Sequence, residues 1–358
     1  MRSLLPLAAL LAGCAAPTLS VEQVVELDPL DAPAGIVDRA GGTSALWGDR
    51  SVWVFGDTAL DAVAADGRDW RDNSWATTAD LDASDGIALD VPTDTDGVPL
   101  EVLAPTADEQ AYNDAHFGAN CAPDDDDPCG SRRVVVPGPL VVNGDSALLF
   151  HWGLQLEPGT VGRGRGVGLA LWSDPAAPAE RLLVEGSPWM FPDDGDAPGT
   201  AAALHEGTVY SFGCAGLERS CKLLRAPVGE SAQPDAWQWY DEGTTWLDTP
   251  DQADVLFTGG ERMSLAWNEA LERWLVVYSA PGEERVLLRH AEAVTGPWSE
   301  PVELFATEPG ADDTPSTAGL HHPEYTDGTT LIVTYEQPTA PFEGTLRVLR
   351  VTLGNEAL

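Results

Sequence analysis

Residues 43–57 run Thr43-Ser44-Ala45-Leu46-Trp47-Gly48-Asp49-Arg50-Ser51-Val52-Trp53-Val54-Phe55-Gly56-Asp57. Two apolar arms flank Gly48-Asp49. Glycine reaches the positive φ that a tight turn needs, and aspartate bonds its own backbone there. The second arm is β-branched and aromatic, the composition of a buried strand. The stretch predicts a β-hairpin with strands at Thr43–Leu46 and Val52–Gly56.

Working outward, the hairpin recurs. Pro139–Val142 and Ala147–Phe150 flank Gly144-Asp145, and Ala201–Leu204 and Val209–Phe212 flank Glu206-Gly207. Met263–Trp267 and Trp274–Tyr278 form a looser pair, and His321–Tyr325 and Leu331–Tyr335 flank Asp327-Gly328. A third strand follows most hairpins, at Val167–Trp172, Lys222–Arg225, Val286–Arg289 and Leu346–Leu349, and outer strands fit Arg181–Val184 and Pro301–Leu304. Repeats of roughly fifty to sixty residues with four strands each are the pattern of propeller blades. The expectation is all-β: a five-bladed β-propeller with four-stranded blades over residues 21–358. Its first blade carries a long insertion, and Val21–Leu27 supplies the outer strand of the last blade. A β-sandwich has similar strand content but no reason for the repeat. Pro139 and Pro323 suit inner strands, where a missing N–H is tolerated.

Ahead of the repeats, Arg2 precedes a short apolar run ending in Leu11-Ala12-Gly13-Cys14. A basic start, an apolar stretch and small residues before a cysteine read as a lipoprotein signal. Residues 1–13 are then removed, Cys14 carries lipid, and residues 14–20 form a tether. The run is too short to span a bilayer; an ordinary signal with an incidental cysteine is the alternative. Ala15 and Ala16 carry no aspartate retention signal, which favours the outer membrane of a bacterial cell envelope. The other four cysteines fall into close pairs, Cys121/Cys129 and Cys214/Cys221, and an exported chain with such pairs predicts two disulfides. Zinc is the rival, but the spacings do not suit it.

The chain has 19 basic and 58 acidic residues, a net charge of −39. Nucleic-acid binding, which needs a basic footprint, is excluded as an expectation, and spread charge reads as solubility. Asp124–Asp127 read as a solvated loop tip. Asp80-Leu81-Asp82 and Asp94-Thr95-Asp96-Gly97 resemble calcium loops but miss the EF-hand spacing. No cofactor and no catalytic metal are expected, a structural calcium ion being unsupported, and the chain is expected to be a monomer.

In a propeller the first strand of each blade begins, and the second ends, on one face. Asp57, His151 and Glu336 fall at ends of second strands; Glu261 and Arg262, and His321 and His322, open first strands; Glu324 lies further along. Carboxylates gathered there can have their pKa values pushed apart into an acid and a base, as glycoside hydrolysis requires. Asp57, Glu261, Glu324 and Glu336 are the candidate catalytic residues, with Asp57 as base or nucleophile. Asn73, His151, Trp152, Arg262, His321 and His322 are candidate substrate contacts. Each has a plainer reading as a turn cap, an ion pair or a packed rim histidine. Trp152 and Trp75 sit near predicted mouth loops, where aromatic faces stack on sugars, whereas Trp53, Trp267 and Trp274 read as core. Asp241–Trp246 imitates a sialidase Asp-box at the wrong place in the blade. No nucleophile elbow, P-loop or zinc-protease motif occurs.

Trp53-Val54-Phe55-Gly56-Asp57-Thr58 resembles a signature of a bacterial domain-of-unknown-function propeller family related to five-bladed glycoside hydrolases and including endo-D-arabinanases. Trp70 to Gly86, with Arg71, Asn73 and Asp80, looks like its following loop. Similarity continues through Trp267-Asn268, Arg273-Trp274, Tyr278, Gly296-Pro297-Trp298-Ser299, His322-Pro323-Glu324 and Thr334-Tyr335, over most of residues 43–353. The resemblance implies a five-bladed propeller with a polar central pocket for carbohydrate. Five-bladed arabinanases place acids on successive early blades, and here the second blade offers His151. The expected function is an exported lipoprotein that binds, and in one reading hydrolyses, an arabinan-like or other glycan; a non-catalytic glycan- or protein-binding scaffold is the alternative.

Overall fold

The structure is a computed structural model and describes residues 18–30, 33–117, 121, 127–160, 162–192, 197–243, 245–340 and 343–356. Cys14, the signal segment 1–13 and Asp124–Asp126 lie outside these residues. Strands dominate, and among the described residues they form six sheets.

Five sheets follow one another along the chain, each beginning with an antiparallel hairpin. The first contains Thr43–Trp47, Arg50–Phe55 and Ser74–Thr78. The second contains Arg132–Asn143, Ser146–Leu156, Arg163–Trp172 and Glu180–Arg181. The third begins with Ala201–His205, Thr208–Ala215 and Ser220–Pro227 and has six strands in all. The fourth contains Met263–Asn268, Arg273–Ser279, Arg285–Ala291 and Val302–Ala306. The fifth runs Thr317–His321, Thr330–Ala340, Glu343–Glu356 and, outermost, the N-terminal strand Thr18–Glu26. A small sixth sheet of Ile36–Arg39, Thr58–Leu60 and Trp70–Arg71 covers one end of the first. Among the described residues, three sheets have the expected four strands.

Strand alternation explains how the sheets are held. Successive side chains point to opposite faces. Val52 and Val54 therefore pack toward the second sheet, against Leu140 and Leu149, while Trp53 and Phe55 pack toward the fifth, against Ile332 and Val348. Five hydrophobic clusters arise in this way. Each is shared by two sheets, first with second, second with third, third with fourth, fourth with fifth, and fifth with first. The first strands of the five sheets line one central cavity of about 460 Å3, which touches Ser44, Leu140, Ala203, Leu265 and His321.

Several expectations change in detail. The N-terminal strand begins at Thr18, where it pairs with Glu356, and residues 14–17 lie outside the described residues. In the fifth sheet the first strand ends at His321, and Pro323–Tyr325 form a 3-10 turn. Ser74–Thr78 is a strand, not a loop, and Trp75 within it is fully buried with its indole N–H donated to the Pro175 carbonyl, so it is absent from the mouth. The insertion before the second sheet holds a helix, Ala107–His116, whose capping box joins Thr106 and Glu109. Glu109 also pairs with Arg181 at 2.5 Å, docking the helix on the second sheet. Both disulfides are present, Cys121–Cys129 beside the insertion and Cys214–Cys221 across two strands of the third sheet.

Candidate functional site

At the end of the sheets where first strands begin and second strands finish, a cleft opens in two lobes of about 410 and 400 Å3. Ala40, Arg219, Glu261 and Arg262 border both lobes. Asp57 and Trp152 line one lobe and Glu336 lines the other.

Each side chain reaches the cleft for a local reason. Asp57 follows the strand Arg50–Phe55 directly after Gly56. Glu336 pairs in register with Thr317 at the start of its sheet's first strand. Arg262 immediately precedes Met263–Asn268. Its guanidinium lies against two glycines: a Cβ at Gly41 would overlap Nη1, and one at Gly56 would stand 3.2 Å from Nη2. Among the described residues this guanidinium makes no hydrogen bond or ion pair, so its donors face the cleft.

The carboxyl groups are perturbed together. Asp57 is reached by solvent from the cleft but is otherwise recessed among protein atoms. That desolvation raises its pKa above the ordinary carboxylate range, against the pull of Arg132 and Arg262. Burial likewise raises the Glu336 carboxyl; the Gly41 N–H, donated to Oε2 at 3.0 Å, and the Arg262 charge oppose this, while Asp38 and Asp57 add to it. Asp38 is also raised, first by burial, with Asp57 contributing. Behind Asp57, Arg132 lies 4.0 Å over the Trp70 ring and 3.6 Å from Asp72 Oδ1. Burial and the neighbouring Glu101 push Asp72 up to about 6, with Arg132 opposing. The arrangement offers two carboxyl groups that favour protonation beyond the usual range, and a cation between them. Acid–base chemistry at moderate pH needs such groups.

The other sequence candidates separate from this set. Glu261 stands at the rim, its side chain 80% exposed and 3.4 Å from Arg219. Glu324 accepts from Ser51 Oγ at 2.5 Å. Ser51 pairs with Leu46 at the turn end of the first hairpin, which puts Glu324 at the opposite end of the central cavity from Asp57. Asn73 is fully buried, donating to the Leu103 and Val135 carbonyls and accepting from the Leu103 N–H. His321 is buried, with Nε2 2.7 Å from Thr326 Oγ1, and desolvation lowers its pKa to about 3. His322 is buried between Ser44 and Thr334, at 2.6 and 2.8 Å, and desolvation holds it well below the usual histidine range. His151 is fully buried 5.6 Å from the Trp189 ring, and desolvation lowers its pKa well below normal. The Leu169 backbone opposes this shift.

His151 misses the cleft because its strand runs on to Leu156. It is mid-strand, and alternation sends it inward while Trp152 turns to the cleft. Sequence inspection missed Asp38, Arg132 and Arg219. Arg132-Arg133 ahead of an apolar run, in a chain with 19 basic residues, is the signal that was available. The acidic stretches are occupied by their own backbone: Asp82 accepts from the Ser84 N–H, and Asp94 from the Asp96 and Val98 N–H groups. Among the described residues no three His, Cys, Asp or Glu side chains gather as a metal site.

No curated protein matches the chain. Residues 178–339 match a family described as a domain of unknown function, DUF4185. Among solved structures, a hydrolase candidate from Bacteroides ovatus superposes with a TM-score of 0.62 at 13% identity, over 89% of this chain and 86% of that one. The GH43_1 enzyme from Xanthomonas citri superposes with a TM-score of 0.51 at 13% identity, over 93% and 91%. The exo-beta-1,3-galactanase from Phanerochaete chrysosporium gives 0.51 at 14% identity, over 94% of this chain and 64% of that one. At such identities the likeness is one of fold: an all-β chain similar in architecture to glycoside hydrolase-family propeller enzymes.

Proposed function

We propose that the protein is an exported, lipid-anchored five-bladed β-propeller, monomeric, that binds a glycan in the two-lobed cleft and hydrolyses a glycosidic bond there. The observation that carries this reading is the convergence of Asp57 and Glu336, from the first and fifth sheets, on a cleft divided by Arg262. Asp57 serves as base or nucleophile and Glu336 as acid, consistent with the desolvation that favours its protonated form. Arg262 positions the sugar through its unused donors, and Trp152 offers an aromatic face. Five core clusters joining five sheets in sequence support the five-bladed reading. The shared fold with the Xanthomonas citri enzyme, which has been solved with xylotriose and with xylose, supports a carbohydrate ligand. Arabinan or another cell-envelope or environmental glycan is the substrate class. Export and lipid at Cys14 rest on the lipobox; the two disulfides suit an oxidising compartment.

The test is reducing-sugar release from plant, fungal and bacterial-wall glycans. Release that falls at least about 100-fold in Asp57→Asn, with the fold retained, is the expected result. One observation favours the scaffold alternative: among the described residues the second sheet brings Trp152 but no acid to the cleft. Glycan binding without turnover by folded protein would select that alternative.

A further inference from the structure

The outermost strand of the fifth sheet fixes where the N-terminus leaves the molecule. Glu336, at the cleft, pairs with Leu346 on the neighbouring strand Glu343–Glu356. That strand runs away from the cleft, and its last residue, Glu356, pairs with Thr18. The hairpin turn at the far end closes at Thr330, opposite Thr352. The pairs Val21–Leu353 to Thr18–Glu356 therefore lie at the turn end of the sheet, where the Leu353 N–H donates to the Thr329 carbonyl and Leu19 and Leu353 pack into the core shared by the fourth and fifth sheets. Ten residues of strand separate Leu346 from Glu356, about 33 Å at the rise of an extended chain. Four Cα–Cα steps lead from Cys14 to Thr18, a reach of at most about 14 Å.

We propose that the protein stands on its membrane on the end of the sheets opposite the cleft, so that the Asp57–Arg262–Glu336 cleft opens away from the bilayer. The inference rests on the lipid reading of Cys14. The partner is the lipid surface bearing the anchor, and the apposed face is the ring of hairpin turns that carries the exposed residues Asp49, Asp145, Glu206 and Asp327. These acids give no electrostatic attraction to a bilayer, so the short anchored strand alone holds the molecule there. The cleft then meets glycans approaching from the aqueous side and not the sugars of the anchoring leaflet.

The test uses the full acylated chain on phosphatidylcholine vesicles whose headgroups carry an energy-transfer acceptor. A donor dye is placed at the base in Asp327→Cys, or in Asp145→Cys should the first variant fail to fold, and at the cleft end in Thr314→Cys, an exposed position beside Pro315 of the cleft lining and three residues before Thr317–His321. Transfer severalfold greater from the base than from the cleft end is expected. Flotation of the chain with vesicles, and its loss in Cys14→Ala, is expected alongside. Absence of flotation overturns the lipid reading and the orientation with it. Flotation with equal or inverted transfer overturns the orientation alone and leaves the anchor and the cleft chemistry standing.

Discussion

The His322 imidazole stacks on the Trp53 indole with ring centroids 4.2 Å apart, joining the fifth sheet to the first. Its two nitrogens reach Ser44 on the first sheet and Thr334 on the fifth, so one buried side chain bridges the seam by stacking and by hydrogen bonds. Replacing it leaves a cavity and two hydroxyl groups without their partner.

His322→Ala is therefore expected to cost about 2–4 kcal/mol, read as a lowered urea midpoint. Burial depresses the folded-state pKa of His322, so its contribution is whole above the unfolded value near 6.5 and is lost as pH falls. The urea midpoint of the native chain should drop between about pH 7 and pH 5, and less steeply in the variant. An equal slope in both would remove His322 as the cause.

Gly41 has φ +71°, and a Cβ there would meet the Arg262 guanidinium. Gly41→Ala should displace Arg262 and lower glycan binding or turnover by about tenfold or more. Arg262→Ala should do the same with little change in stability, because among the described residues its guanidinium makes no hydrogen bond or ion pair. Unchanged kinetics in both variants would exclude Arg262 from the site.

Asp72 makes the opposite pH statement from His322. Its carboxyl is raised from 3.8 to about 6 by burial and by Glu101. Its stabilising contribution is whole below the unfolded pKa and is lost as pH rises through about 6. Asp72→Asn, neutral at every pH, should be more stable than the native chain by about 1–3 kcal/mol at pH 8 and equal to it near pH 4. Parallel thermal melts across that range give the answer.

Cys214 borders the cleft, and its bridge to Cys221 closes a seven-residue separation. The paired substitution to alanine should cost about 2–3 kcal/mol, measured by denaturant titration, while the glycan affinity of the folded fraction is retained.

Much of this fold could be read from the chain. The turns at Gly48-Asp49 and Gly144-Asp145 stand where their residue types place them, because glycine there takes a positive φ. The N-terminal strand joins the last sheet as the β-branched run at Val24-Val25 suggests. Ser74–Thr78 escaped notice because both its faces are buried, and the alternation that marks a half-exposed strand is absent. His151 was misplaced for a related reason: strand length is set by pairing partners, and Arg132–Asn143 holds its neighbour in register as far as Leu156. Asp57 and Arg262 were legible because each follows or precedes a strand by one or two residues. Asp38 and Arg132 were not, since only the assembled sheets bring their charges to Asp57.

The pairing of Thr18–Glu26 with Glu343–Glu356 also bears on biogenesis. A chain synthesised N-terminus first exposes the Thr18–Glu26 segment long before its partner emerges. Until Glu343–Glu356 arrives, that segment is an unpaired edge, open to the wrong neighbour. The fifth sheet is complete only once Glu343–Glu356 has been made, and a truncation that removes that strand leaves Thr18–Glu26 orphaned as well.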